Sequence, residues 1–139
     1  MAYMNAEKKK ELAPGIKAVL KKYKMRGTIA VSNYSKLIVN IWEGPLDIIG
    51  NYNANNDPTV SGWKPDDYMR VNEFWIDENF TGEVKAFLSE LNAAMNAAPG
   101  LENYDNSDSM TDYFDVGWYT AINVGDFGKP YKLNLEKAA

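Results

Sequence analysis

The sequence predicts an α+β domain: a mostly antiparallel sheet with two main helices packed on one face, in the order α-β-β-(loop)-β-α-β-β. Three observations carry this. Thr111 to Gly125 alternates with period two, Phe114, Val116, Trp118, Ile122 and Val124 on one face and Thr120 the one polar residue among them. That is the pattern of a strand with one buried face. Val84, Phe87, Leu88, Leu91, Met95 and Ala98 follow the i, i+3, i+4, i+7 spacing of a helix, closed by Pro99-Gly100. Leu12, Ile16, Val19, Leu20 and Tyr23 form a second apolar stripe at spacings of three and four.

Taken in order, the first helix is expected from an Asn5 cap to about Lys24. Pro14-Gly15 either kinks it or marks its proper start, and Gly27 stands where a helix stop is expected. Thr28–Asn33 and Lys36–Trp42 read as two strands joined by a short hairpin, ended by Gly44-Pro45. Leu46 to Tyr52 reads as a short helix with Pro45 at its first position, or as a further extended piece, the helix being preferred. Residues 53–67, rich in Asn, Asp, Pro, Gly and Ser, read as a long loop. Tyr68 to Ile76 is expected to be extended, Thr81 to cap the second helix, residues 101–110 to form a polar loop, and Tyr131 to Leu135 to be a last extended piece. No repeat or linker divides the chain, so residues 1–139 are read as a single domain. Trp42, Trp75 and Trp118 are expected in the core, and Trp63, between Gly62 and Lys64, is the most exposed candidate among the tryptophans.

Composition narrows the chemistry. The 139 residues contain no Cys and no His. Thiolate catalysis, Cys zinc sites and Ser-His-Asp arrangements therefore have no residues to build on. Any catalysis would rely on carboxylates, Lys, Tyr or a carboxylate-bound cation, and no cofactor is expected. No apolar run suits a membrane span or a signal peptide, so a soluble, cytoplasmic protein is expected, without a membrane partner. The net charge of −4 conceals an imbalance. Residues 1–27 hold eight Lys/Arg and two Glu, a net of +6; residues 28–139 hold seven Lys/Arg and seventeen Asp/Glu, a net of −10. Such asymmetry bears on partners.

Several stretches resemble a known family. AEKKKELAPGIKAVLKKYKMRGTIAV, GPLDIIGNYN, VNEFWIDENFTGEVKAFLSELNAAM and DNSDSMTDYFDVGWYTAINVG together are similar to the large polyvalent protein-associated domain family, most closely type 29. The resemblance implies a phage or mobile-element protein acting in the host bacterial cytoplasm, in a genomic setting associated with counter-defence. It supplies no catalytic residue. Lys24 departs from the family pattern, which has glycine before the MRG turn, and this suggests a slightly longer first helix.

Two surfaces are candidates for function. Asp105, Asp108, Asp112 and Asp115, with Glu102, have no basic neighbour in sequence. They suit a basic groove on a host protein, with Trp63 as a further contact. A Ca²⁺ site is the other use of such carboxylates, and Asp105, Ser107 and Ser109 imitate the start of an EF-hand loop. Met110 and Val116, however, replace the Gly and Glu that such a loop needs, so no metal is assigned. Asp112 and Asp115 could also be arranged as the pair of a carboxylate-dependent enzyme, but sequence spacing does not set their separation and the signal is weak. Lys10, Lys17, Lys21 and Lys24 suit nucleic-acid phosphate, and the α-β-β-β-α order resembles double-stranded-RNA-binding domains. Against that mode, the second helix opens with Asp77, Glu78 and Glu83, which repel phosphate. The leading expectation is a non-enzymatic accessory protein that binds a host protein through its acidic surface. Nucleic-acid binding and a carboxylate enzyme are the alternatives.

Overall fold

The computed structural model describes residues 4, 6–32, 35–56, 68–72, 75–98, 101–103, 118–126 and 129–134. Its helices are α1 (Ala6–Lys22), α2 (Ile48–Asn55), a single turn α3 (Ile76–Asn79) and α4 (Gly82–Asn96). Its strands are β1 (Arg26–Ser32), β2 (Lys36–Gly44), β3 (Met69–Val71), β4 (Ala97–Ala98), β5 (Leu101–Glu102), β6 (Tyr119–Val124) and β7 (Lys132–Leu133). The fold is α+β, and the main sheet is mixed. Its order is β1-β2-β6-β3, with β7 also paired to β2. β1–β2 and β3–β6 are antiparallel, whereas β2 runs parallel to both β6 and β7. β6 therefore separates β2 from β3, and the likeness to an α-β-β-β-α unit stops at element order.

Strand alternation sets the two faces. Leu37, Val39 and Ile41 of β2 are in register with Thr120, Ile122 and Val124 of β6, and Met69 and Val71 of β3 join the same face. There they share one core with Leu12, Ile16 and Leu20 of α1 and Val84, Phe87, Leu88, Leu91 and Met95 of α4. Fully burying each such side chain contributes roughly 1.5–3 kcal/mol. The opposite face carries Thr28, Asn40, Asn123 and Arg70, and Asn123 Nδ2 donates to Asn40 Oδ1 at 3.0 Å. Trp118, 1% exposed, leads into β6 and donates its indole N–H to the Met95 carbonyl at 3.0 Å. Its burial is as the sequence suggests. Trp75 is not core: it is 54% exposed, because it precedes the α3 turn, which sends Ile76 inward instead. Trp42 lies half-buried on the face away from the helices, donating to Thr28 Oγ1 at 3.2 Å.

Helix ends differ from the sequence reading for identifiable reasons. α1 passes through Pro14 as one helix. An interior proline costs about 3 kcal/mol, and Leu12 and Ile16, both fully buried on either side of it, are together enough to offset that. α1 stops at Lys22, and Gly27 lies in β1. The stop is made by Lys24, at φ 57°, with Met25 N donating to Leu20 O at 2.8 Å and Lys24 N to Lys21 O at 3.1 Å. This pair of bonds is a Schellman closure, sealed by the buried Leu20 and Met25. α2 begins after Asp47, whose Oδ1 accepts from Gly50 N at 2.9 Å, so Asp47 is the cap and Pro45 precedes the helix. Thr81 does occupy the N-cap of α4, but its hydroxyl accepts from Asn51 and Asn55 of α2 and makes no cap bond. Among the described residues, the expected strand from Tyr68 to Ile76 is confined to Met69–Val71, and the last extended piece to Lys132–Leu133.

Two glycines test this packing in opposite directions. A Cβ at Gly15, inside α1, would meet Ala94 Cβ of α4 at an ordinary 3.8 Å, whereas one at Gly27 would lie 2.7 Å from the Asn40 carbonyl oxygen of β2. Gly15→Ala should raise stability by about 0.5–1 kcal/mol through helix propensity. Gly27→Ala should lower it by about 1–3 kcal/mol through overpacking. Urea titration of both variants measures these shifts.

Tyr131 supplies a pH test. Its hydroxyl donates to Leu46 O at 2.7 Å, tying the chain after β6 to the turn before α2. Burial, with smaller contributions from Asp47 and Glu43, pushes its phenol well above the usual tyrosine value. The folded protein keeps this proton at a pH where the unfolded chain releases it. The contribution of Tyr131 is therefore complete below about pH 10, the ordinary tyrosine value, and is lost as pH rises above it. The thermal midpoint should fall above pH 10, and less steeply in Tyr131→Phe than in the parent.

Candidate functional site

The basic surface is built by α1 and the turn after it. At 3.6 residues per turn, Lys10, Lys17 and Lys21 project within about 40° of one another. All three are exposed, as is Lys24 beyond the helix end. Burial of Leu12, Ile16 and Leu20 fixes this orientation, because the inward stripe leaves these lysines on the outer side. Two shallow depressions lie along the ridge. One, of about 600 Å³, is lined by Lys9, Lys10, Ala13, Pro14 and Lys17. The other, of about 470 Å³, is lined by Lys21, Lys24, Met25 and Arg26. Lys9 and Arg26 thus extend the ridge beyond the four lysines read from sequence, Lys9 being detectable there only by its neighbours in space.

Among the described residues, no carboxylate lies within ion-pair distance of Lys10, Lys17 or Lys21. Arg26 has Glu43 at 4.0 Å, the outer limit of an ion pair. Lys22 faces the other way, toward α4, and meets Glu90 at 2.7 Å. Tyr23 also donates its hydroxyl to Glu90 and stacks edge-on against Phe87, centroids 5.3 Å apart. The Lys22 and Tyr23 hydrogen bonds hold the Glu90 carboxyl below its ordinary value, and the same bond from Glu90 raises Lys22. Gly15 also faces α4, at Ala94, so α1 and α4 run antiparallel and the ridge lies on the side of α1 turned away from α4.

Asp105, Asp108, Asp112, Asp115 and Trp63 lie outside the described residues, as do Phe114 and Val116. What the structure describes is the base from which residues 104–117 depart. Asn103 Nδ2 donates to Asn96 Oδ1 at 2.7 Å and to Trp118 O at 2.9 Å, and Asn103 Oδ1 accepts from Trp118 N at 3.0 Å. One amide side chain thereby takes both backbone groups of Trp118, as a neighbouring strand would. Lys8 Nζ sits 5.4 Å from the Trp118 ring centroid, so this base adjoins the start of α1. The Asn103 clamp escapes sequence reading because nothing in an isolated Asn signals a partner fifteen residues away. Among the described residues, no three Asp or Glu side chains converge as metal ligands, and no helix is long and apolar enough to cross a membrane.

Compared with known protein families, curated proteins and solved structures, the chain matches none.

The position of Lys24 has a measurable consequence. A side chain in the left-handed region costs about 1–2 kcal/mol that glycine does not incur. Lys24→Gly should therefore raise the urea midpoint, by about 1 kcal/mol of stability, with an unchanged m-value. A lower midpoint would mean that contacts of the Lys24 side chain outweigh the backbone term.

Proposed function

We propose that the chain is a non-enzymatic accessory protein of a phage or mobile element that binds a host macromolecule by electrostatics. The partner in this reading is a protein of a defence or nucleic-acid-handling system, met through the acidic segment around Asp105, Asp108, Asp112 and Asp115. The observation that carries the reading is the separation of charge: +6 in residues 1–27 against −10 in the remainder. Folding adds to it, since the basic helix spends Lys22 on Glu90 while Lys10, Lys17 and Lys21 stay on the outer surface. Opposed fields on one small molecule favour fast, oriented encounter with a charged partner. The family resemblance supplies the phage or mobile-element setting, and the lack of His and Cys makes catalysis the lesser reading.

Affinity capture from host lysate tests this. The parent chain should retain a specific protein at low salt and release it as ionic strength shortens the Debye length. Asp105→Asn, Asp108→Asn and Asp112→Asn together should abolish capture. Equal capture by that variant, or capture indifferent to salt, would refute recognition through the acidic segment.

A further inference from the structure

The geometry points to the Lys10–Lys24 ridge of α1 as a docking site for the phosphate backbone of a duplex nucleic acid. This rests on reading the chain as an electrostatic binding module, and it assigns a partner to the face that the acidic segment does not supply.

Four observations combine. First, the ridge is of useful length. Within α1, eleven residues at 1.5 Å each separate Lys10 from Lys21, about 16 Å, the axial span of about five phosphates of one strand at 3.4 Å apiece, and Lys24 stands just beyond the helix end. Second, the charges are available: Lys10, Lys17 and Lys21 have no carboxylate partner among the described residues. Third, Lys24 occupies a backbone conformation, φ 57°, that glycine would hold with less strain. That turn sets Lys24 beside Lys21 and Arg26 around the second depression, so the basic surface continues past the end of α1. Fourth, Glu90 meets α1 through Lys22 and Tyr23, on the side facing α4, so a duplex lying on the ridge is across the helix from it. The acidic opening of α4 counts against a docking mode that uses both helices, and the ridge uses α1 alone.

The same surface says which form of nucleic acid fits. The depressions along the ridge are lined by Lys, Arg, Ala, Pro and Met, without an aromatic ring. Single-strand binders stack bases on aromatic platforms, while a duplex presents phosphate and needs none. Tyr23, the residue after α1, is packed on Phe87. Among the described residues of the ridge nothing is placed to read base edges, so binding should be independent of sequence.

Fluorescence anisotropy with the intact chain and a labelled duplex of about 20 base pairs of arbitrary sequence tests the assignment, with DNA and RNA as separate arms. Four phosphate contacts give a slope of log K against log salt of about −3.6 on DNA, so affinity should fall about 150-fold for a fourfold rise in salt. Lys10→Gln, Lys17→Gln and Lys21→Gln together should bring the slope to about −1, with an unchanged circular dichroism spectrum. Lys17→Gln alone should flatten it by about 0.9 and serves if the triple variant folds poorly. A single strand of equal length should bind more weakly than either duplex. Absence of duplex binding at low salt, an unchanged slope in the variants, or equal binding of single strand would overturn the inference. If duplex binding is absent while salt-sensitive capture of a host protein persists, only this inference fails and the broader proposal stands.

Discussion

The structure depends on the parallel pairing of β2 with β6. Six residue pairs, Lys36 with Tyr119 through Ile41 with Val124, join segments more than eighty residues apart. Closing so long a loop is slow and entropically unfavourable, although the penalty grows only logarithmically with length. The gain that offsets it is concentrated on one face, where Leu37, Val39, Ile41, Ile122 and Val124 are all nearly inaccessible to solvent. Once β6 lies beside β2, β3 finds its partner on the free side of β6, and Trp118 is carried beneath the end of α4. The seven-residue excursion 125–131 then brings β7 back to β2, beyond the end of β6. Its neck is closed by reciprocal bonds between Asp126 and Lys129 at 2.8 and 2.9 Å.

Much of this was legible in the sequence, and the division between what was and was not has a physical basis. Periodicity reports which face of an element is buried, so the core residues of α4, the inward stripe of α1 and the described part of the long alternating strand could all be read directly. Periodicity does not report which strand lies alongside. Nothing in Tyr119 to Val124 distinguishes a parallel neighbour from an antiparallel one, and the sheet is mixed where a mostly antiparallel one was expected. End signals were weaker still. Gly27 looked like a helix stop, but its small size answers to the Asn40 carbonyl, while the left-handed position went to Lys24. Thr81 had the right position for a cap, yet α2 supplied competing amides from Asn51 and Asn55.

The candidate surfaces divide in the same way. Lys10, Lys17 and Lys21 share a face because helical spacing requires it, and that much follows from their numbers alone. Lys9 and Arg26 join the ridge only through three-dimensional placement. The acidic residues, close in sequence, lie outside the described residues, and beside them Asn103 clamps Trp118 and is tied through Asn96 to the end of α4. The basic ridge therefore hangs on α1, and α1 with α4 rests on the face that β2 and β6 create.

Native-state amide hydrogen exchange addresses that dependence most directly. If the β2–β6 pairing is the spine of the fold, the amides bonded between residues 36–41 and 119–124 should exchange only through global unfolding, with the highest protection in the chain, while those of β7 and of the β4–β5 pair open locally. Protection in β2 and β6 no greater than in β7 would contradict the account.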